Sequence, residues 1–105
     1  MCRKEMDPEC IELCKILNQI PGIKTRSSCC GHGESPYWIL FDLDTDRDAI
    51  AYVLCCLWEK DWFIQLKYVI DEKPKYYFEL LGPIGERAFK DSLFLAERIE
   101  KYLIV

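Results

Sequence analysis

The side chains most able to do chemistry crowd into eleven consecutive positions. From Arg26 the chain reads Arg, Ser, Ser, Cys, Cys, Gly, His, Gly, Glu, Ser, Pro, which gathers a guanidinium, hydroxyls, two thiols, the sole histidine and a carboxylate. Gly31 and Gly33 open backbone angles closed to other residues, so successive amides there could form an anion-binding concavity with His32 presented between them. Each residue alone is ordinary for a tight turn: glycines shape it, cysteines fill small apolar gaps, and a histidine sits exposed. As a cluster they favour a site, because a turn has no need of a thiol pair beside a histidine and an acid.

Three chemistries compete for these residues. In the first, Arg26, Ser27, Ser28, Cys29, Gly31, His32, Gly33 and Glu34 hold an anionic or nucleotide-like molecule through backbone amides, a guanidinium fork and hydroxyls. Trp38 or Tyr37 then stacks a base, and Cys30 turns into the core. In the second, the chain is an enzyme acting on a nucleotide or RNA, with His32 as acid/base and Cys29 or Glu34 assisting. Residues two apart on one turn seldom aim at each other, so this local run is weak evidence for cysteine catalysis. In the third, Cys10 and Cys14, one helical turn apart, join Cys29 or Cys30 and His32 around Zn²⁺. Helix and returning strand are of similar length, which brings the loop back level with Cys10. Both helical cysteines nevertheless lie in an apolar arc, where a thiol is ordinary core, and no C-x-x-C pair occurs. No residue is therefore assigned to a metal, and no cofactor is specified.

The elements that must carry the loop follow from periodicity. Asp7-Pro8-Glu9 reads as a helix start with a capping carboxylate and Pro at the first helical position. The helix runs to about Ile20, with Cys10, Leu13, Cys14, Leu17 and Ile20 on one arc, and Pro21-Gly22 stops it. Ile23 to Ser28 alternates as a short strand, with Ile23, Thr25 and Ser27 on one side and Lys24, Arg26 and Ser28 on the other. Tyr37 to Leu43 is a stronger strand, expected to pair with the first across the loop. Thr45 and Asp48 resemble a capping box that opens a helix from Asp46 to about Lys60. Its apolar run Ala49 to Trp58 leaves Tyr52, Cys55 and Cys56 opposite the core stripe, so a homo-oligomer through this helix is expected. Trp62 to Ile70 and Lys75 to Leu81 flank Asp71-Glu72-Lys73-Pro74 as a hairpin. Ala88, Phe89, Leu93, Leu95, Ala96, Ile99, Tyr102 and Leu103 mark a final helix.

The order helix, strand, strand, helix, strand, strand, helix predicts one α+β domain over residues 1–105, a four-stranded, mainly antiparallel sheet with helices packed on one face. At 105 residues, half of them apolar and 13% aromatic, the chain can fill one core. A formal charge of −4 argues against nonspecific nucleic-acid binding, which needs clustered Lys and Arg. The longest apolar run is about half of what a membrane span requires, so no membrane association is expected. No charged-then-apolar leader is read at Met1 to Cys14. Seven cysteines, including the adjacent pairs Cys29-Cys30 and Cys55-Cys56, fit reduced thiols in the cytoplasm better than a disulfide scaffold.

The run Pro21-Gly22-Ile23-Lys24-Thr25, Ser28-Cys29-Cys30-Gly31-His32-Gly33, Pro36 and Ile39 to Phe41 resembles small uncharacterised proteins of bacteriophages and Gram-positive bacteria that carry the same strand, loop and strand. The resemblance covers about a fifth of the chain. Arg26 to His32 is also similar to the motif Thr-Ser-Ser-Cys-Ser-Gly-Arg of the tRNA wybutosine-synthesising protein 3 family. Arg26 stands here for its Thr, Cys30 for its second Ser and His32 for its Arg. What the two resemblances imply is a glycine-turn loop that holds a nucleotide-like ligand, and a phage protein that sequesters a host nucleotide signal. The leading expectation is thus a small ligand-binding protein using the Arg26–Ser35 loop. The enzyme and an interaction module built on the apolar second helix remain as alternatives.

Overall fold

The computed structural model describes residues 7–43, 51, 53, 57, 61–70 and 74–104. It shows the α+β architecture. Four strands, β1 (Ile23–Cys29), β2 (Pro36–Leu43), β3 (Phe63–Ile70) and β4 (Pro74–Ile84), form one sheet in the order β1-β2-β4-β3 with every neighbouring pair antiparallel. Helices α1 (Ile11–Leu17) and α2 (Glu86–Ile104) share one apolar core with the inner face of the sheet. The helix expected from Asp46 to Lys60, its Thr45/Asp48 capping box and the interface residues Tyr52, Cys55 and Cys56 lie outside the described residues. So do Asp71, Glu72 and Lys73 of the hairpin turn. Ala51 and Val53 are helical, and Val53 and Leu57 are buried in the common core. No helix of the described residues is long and apolar enough to cross a membrane.

The first helix departs from its expected form at both ends. A single tight turn, Pro8–Cys10, precedes α1, and hydrogen-bonded turns carry the chain from Leu17 to Ile23. Asp7 does not cap it through its side chain; its backbone carbonyl accepts from the Cys10 amide at 2.9 Å instead. The expected apolar arc is nonetheless the buried one, with Cys10, Leu13, Cys14, Leu17 and Ile20 all enclosed.

Two buried aromatics tie the layers together. The Tyr37 ring, on β2, meets Trp62 edge-on at 5.0 Å, and its hydroxyl donates to the Glu9 carbonyl at 2.9 Å. The Ser92 hydroxyl on α2 donates to the Phe89 carbonyl of its own helix at 2.6 Å and lies 3.4 Å from the Glu9 carbonyl, so β2, α2 and the Pro8–Cys10 turn meet at one point. Trp62 donates its indole N–H to Asp91 at 3.1 Å and lies flat against Gly82 of β4. Strand β4 runs three residues past the expected Leu81, and this extension is what places Gly82 under the indole.

Strand β1 carries a bulge. Thr25 stands opposite Phe41, but Ser27 stands opposite Leu40, so Arg26 is the extra residue. An extra residue reverses the alternation beyond it. Ser28 therefore faces inward with Ile39, towards the thiols of Cys10 and Cys14, rather than sharing a side with Arg26.

Two measurements test this packing. A Cβ on Gly82 would lie 2.7 Å from Trp62 Cη2 and 2.8 Å from Cε2 and Cζ2. Gly82→Ala is therefore expected to destabilise the fold by about 1–3 kcal/mol in urea titration, and an unchanged midpoint would refute the contact. Burial holds the Cys10 thiol protonated, with its pKa pushed up from 9.0 to about 11, Tyr37 and Ser28 partly opposing. A folded-state pKa above the unfolded one contributes stability that is complete below the ordinary thiol range and is lost as pH rises through the folded value. Between pH 9.0 and about 11, wild type should lose stability more steeply than Cys10→Ala; parallel pH profiles would contradict this.

Candidate functional site

Strand β1 ends at Cys29, and the loop after it is held from the other end of the chain. The Asp7 carboxylate, only 4% exposed, accepts the Cys30 amide at 3.0 Å. Gly31, His32 and Gly33 then turn with φ of 82°, 52° and 78°, a left-handed stretch that glycine takes freely and histidine takes at a cost. Gly31 is required for a second reason, since a Cβ there would lie 3.0 Å from the Pro36 carbonyl oxygen. The loop closes on itself: Glu34 and Ser35 donate their amides to the Gly31 carbonyl at 3.0 and 3.1 Å.

The same hydrogen bonds alter the expected anion-binding turn. The Gly31 amide donates to Cys29 Sγ and the His32 amide to Cys30 Sγ, each at 3.4 Å, while Cys30 serves Asp7. These donors are already taken by sulfur and carboxylate within the chain. What faces the His32 side chain is acidic or thiol: its Nε2 lies 3.9 Å from Asp7 Oδ2 and its Nδ1 3.7 Å from Cys30 Sγ. The shallow concavity beside it, about 450 Å³, is lined by Glu9, Cys30, His32, Gly33, Tyr37 and, from the start of α2, Glu86 and Phe89.

The two thiols reverse their expected roles. Cys29 is buried, 5% exposed, and disulfide-bonded, so the expectation that its thiol is reduced and accessible is corrected. Cys30 is the half-exposed free thiol. Its pKa is raised, first by partial burial and then by Asp7 and Glu9, against the His32 amide that favours the thiolate. A thiol kept protonated is a poor nucleophile, and this weighs against cysteine catalysis at the loop. Cys10 and Cys14 lie in the core, and burial raises the pKa of both. The expected approach of the loop to helix one is real, through Ser28 and Asp7, but it does not assemble Cys10 and Cys14 with His32. Among the described residues, the one set of three metal-ligating side chains within reach of a common ion is Asp7, Cys29 and His32.

Arg26 belongs to a different place. Lifted out by the bulge, it ion-pairs with Asp42 of β2, which also takes Lys75 of β4 at 3.4 Å. These residues line a groove of about 610 Å³ at the end of the sheet where β1 and β4 begin and β2 ends, together with Lys24, Phe41, Tyr76 and Phe78. Of the other expected site residues, Ser27 and Glu34 are exposed, Ser28 is in contact with the core thiols, and Trp38 is half-buried opposite Cys29 and lines neither concavity. Tyr37 is wholly buried and offers no face to a base. Sequence reasoning missed Asp7, which reads as an ordinary helix cap, and Lys24, Lys75 and Tyr76, which read as strand residues. The charge alternation at Lys24 and Arg26 was the available signal for the groove.

No protein-family model matches the chain, and neither curated proteins nor solved structures yield a match. The site must therefore be read from its own chemistry.

Alkylation of the native protein at neutral pH should modify Cys30 before Cys10 and Cys14, and Cys29 only after reduction. Peptide mapping by mass spectrometry reads the order, and early labelling of Cys10 or of unreduced Cys29 would contradict the geometry.

Proposed function

We propose that the chain is a small ligand-binding protein whose anionic, nucleotide-like ligand lies in the groove around Arg26, at the end of β1 away from the Gly31–Gly33 turn. The observation that carries this reading is the set of three cations, Lys24, Arg26 and Lys75, around one groove whose lining holds a single carboxylate, Asp42, on a chain of net charge −4. A local excess of positive charge against an acidic background focuses anions. Arg26 supplies a planar fork suited to phosphate or carboxylate, and Lys24 and Lys75 supply point charges.

The stacking role expected of Trp38 or Tyr37 passes in this reading to Tyr76, which is 61% exposed at the groove and braced by Tyr68, ring centroids 4.7 Å apart. The reading keeps the ligand class that the loop resemblances imply and moves the contact from backbone amides to side chains. It also retains the cytoplasm as the setting and sequestration of a host nucleotide signal as the biological use.

Titration with inorganic phosphate and then with nucleoside monophosphates and cyclic dinucleotides, followed by amide NMR shifts, tests it. Shifts should centre on residues 22–26, 41–43 and 75–78 and weaken with added salt. Lys75→Glu and Arg26→Ala should each weaken binding about tenfold to a hundredfold, the worth of one charge-assisted contact. Shifts centred on His32 instead, or affinity indifferent to both substitutions, would remove the groove as the site.

A further inference from the structure

We propose that Asp7, Cys29 and His32 form a redox-gated site for a divalent cation of the zinc class, closed while Cys29 is in its disulfide and opened when a dithiol reduces it. The inference stands on the loop end of β1 and is independent of the groove around Arg26.

The geometry comes first. One ligand atom from each of the three residues lies within 4.8 Å of the others. Tetrahedral coordination at bond lengths of about 2.0–2.3 Å places ligand atoms roughly 3.3–3.8 Å apart. Asp7 Oδ2 and His32 Nε2, at 3.9 Å, are already close to that spacing. His32, an exposed imidazole carried between two glycines, is the most adaptable of the three positions.

The donor set comes second. A buried carboxylate needs a cationic partner or a metal. Among the described residues, the basic side chain within ion-pair reach of Asp7 is His32. Carboxylate, thiolate and imidazole together suit zinc-class ions rather than magnesium or calcium, which take oxygen ligands. Outer contacts also have the usual form: the Cys30 amide orients the Asp7 carboxylate, and Cys30 Sγ faces the Nδ1 left over when Nε2 ligates. Three protein ligands leave a fourth position for water.

The gate is the sulfur. While Cys29 is disulfide-bonded it offers no thiolate, and Asp7 and His32 alone are a weak pair. Reduction moves two electrons and two protons from the dithiol to the Cys29 disulfide. The S–S bond breaks into two thiols, and the reductant leaves as its own disulfide. The cation then displaces the Cys29 proton to solvent and bonds to the thiolate. In a reducing compartment a disulfide of this kind is transient and redox-sensing, which is the behaviour a gate requires.

The test uses Co²⁺ as a visible probe, with Zn²⁺ measured by competition against a chromophoric chelator. Full-length protein is compared oxidised and after anaerobic reduction. One Co²⁺ per chain with a tetrahedral visible spectrum and thiolate charge transfer is expected after reduction, and none before it. His32→Gln, at an exposed position that should not disturb folding, and Asp7→Asn should each weaken Zn²⁺ binding by at least about a hundredfold. Lys75→Glu, in the distant groove, should leave it unchanged. Equal affinity in the oxidised and reduced states overturns the gate. Binding that survives His32→Gln in a folded protein overturns the site, because the metal is then held by other thiols.

Discussion

The carbonyl of Glu9 and the carboxylate of Asp7 hold the architecture to its functional end. Tyr37 donates to the former with the Ser92 hydroxyl beside it, and Cys30 donates to the latter. These bonds are buried or half-buried, where an unpaired polar group costs more than a made bond gains. Together they oblige the Pro8–Cys10 turn, the start of β2, helix α2 and the Cys30 loop to occupy one junction. Removing any of these partners strands an acceptor or donor in the core, so the junction is maintained as a unit.

Trp62 extends this junction to the far strands. Its ring packs on Tyr37 and on the bare backbone of Gly82, and its N–H reaches Asp91 of α2. The helical layer is therefore fixed on the sheet by polar contacts at the ends of large rings, with apolar area supplying the driving force. The Glu9, His32, Glu86 and Phe89 concavity forms where these layers meet, which explains its acidic lining: two helical starts bring their acidic residues there.

A single inserted residue divides the chemically rich segment. Without the bulge at Arg26, the alternation of β1 would keep Arg26 and Ser28 on one side, as one ligand surface. With it, Arg26 turns to Asp42, which Lys75 also pairs with, while Ser28 turns to the buried thiols. The Arg26–Ser35 stretch then serves two places towards opposite ends of the seven-residue β1, a cationic groove and a carboxylate, imidazole and sulfur cluster. Their opposite electrostatics suit opposite ligands.

The fold was legible in the residues themselves. The arc from Cys10 to Ile20, the alternation from Tyr37 to Leu43 and the periodic spacing from Ala88 to Leu103 each encode which face is buried, and burial of that face is a local pattern repeated along the chain. The chemical loop was also legible, because glycines around a histidine mark a turn. Three decisions were not: the role of Asp7, the exchange of exposure between Cys29 and Cys30, and the departure of Arg26. A carboxylate before a proline serves equally as a cap or as an acceptor for a distant amide, and only the return of the chain 23 residues later supplies that amide. A bulge depends on how two strands register, so the side to which Arg26 and Ser28 point is a property of the pair and not of either strand alone.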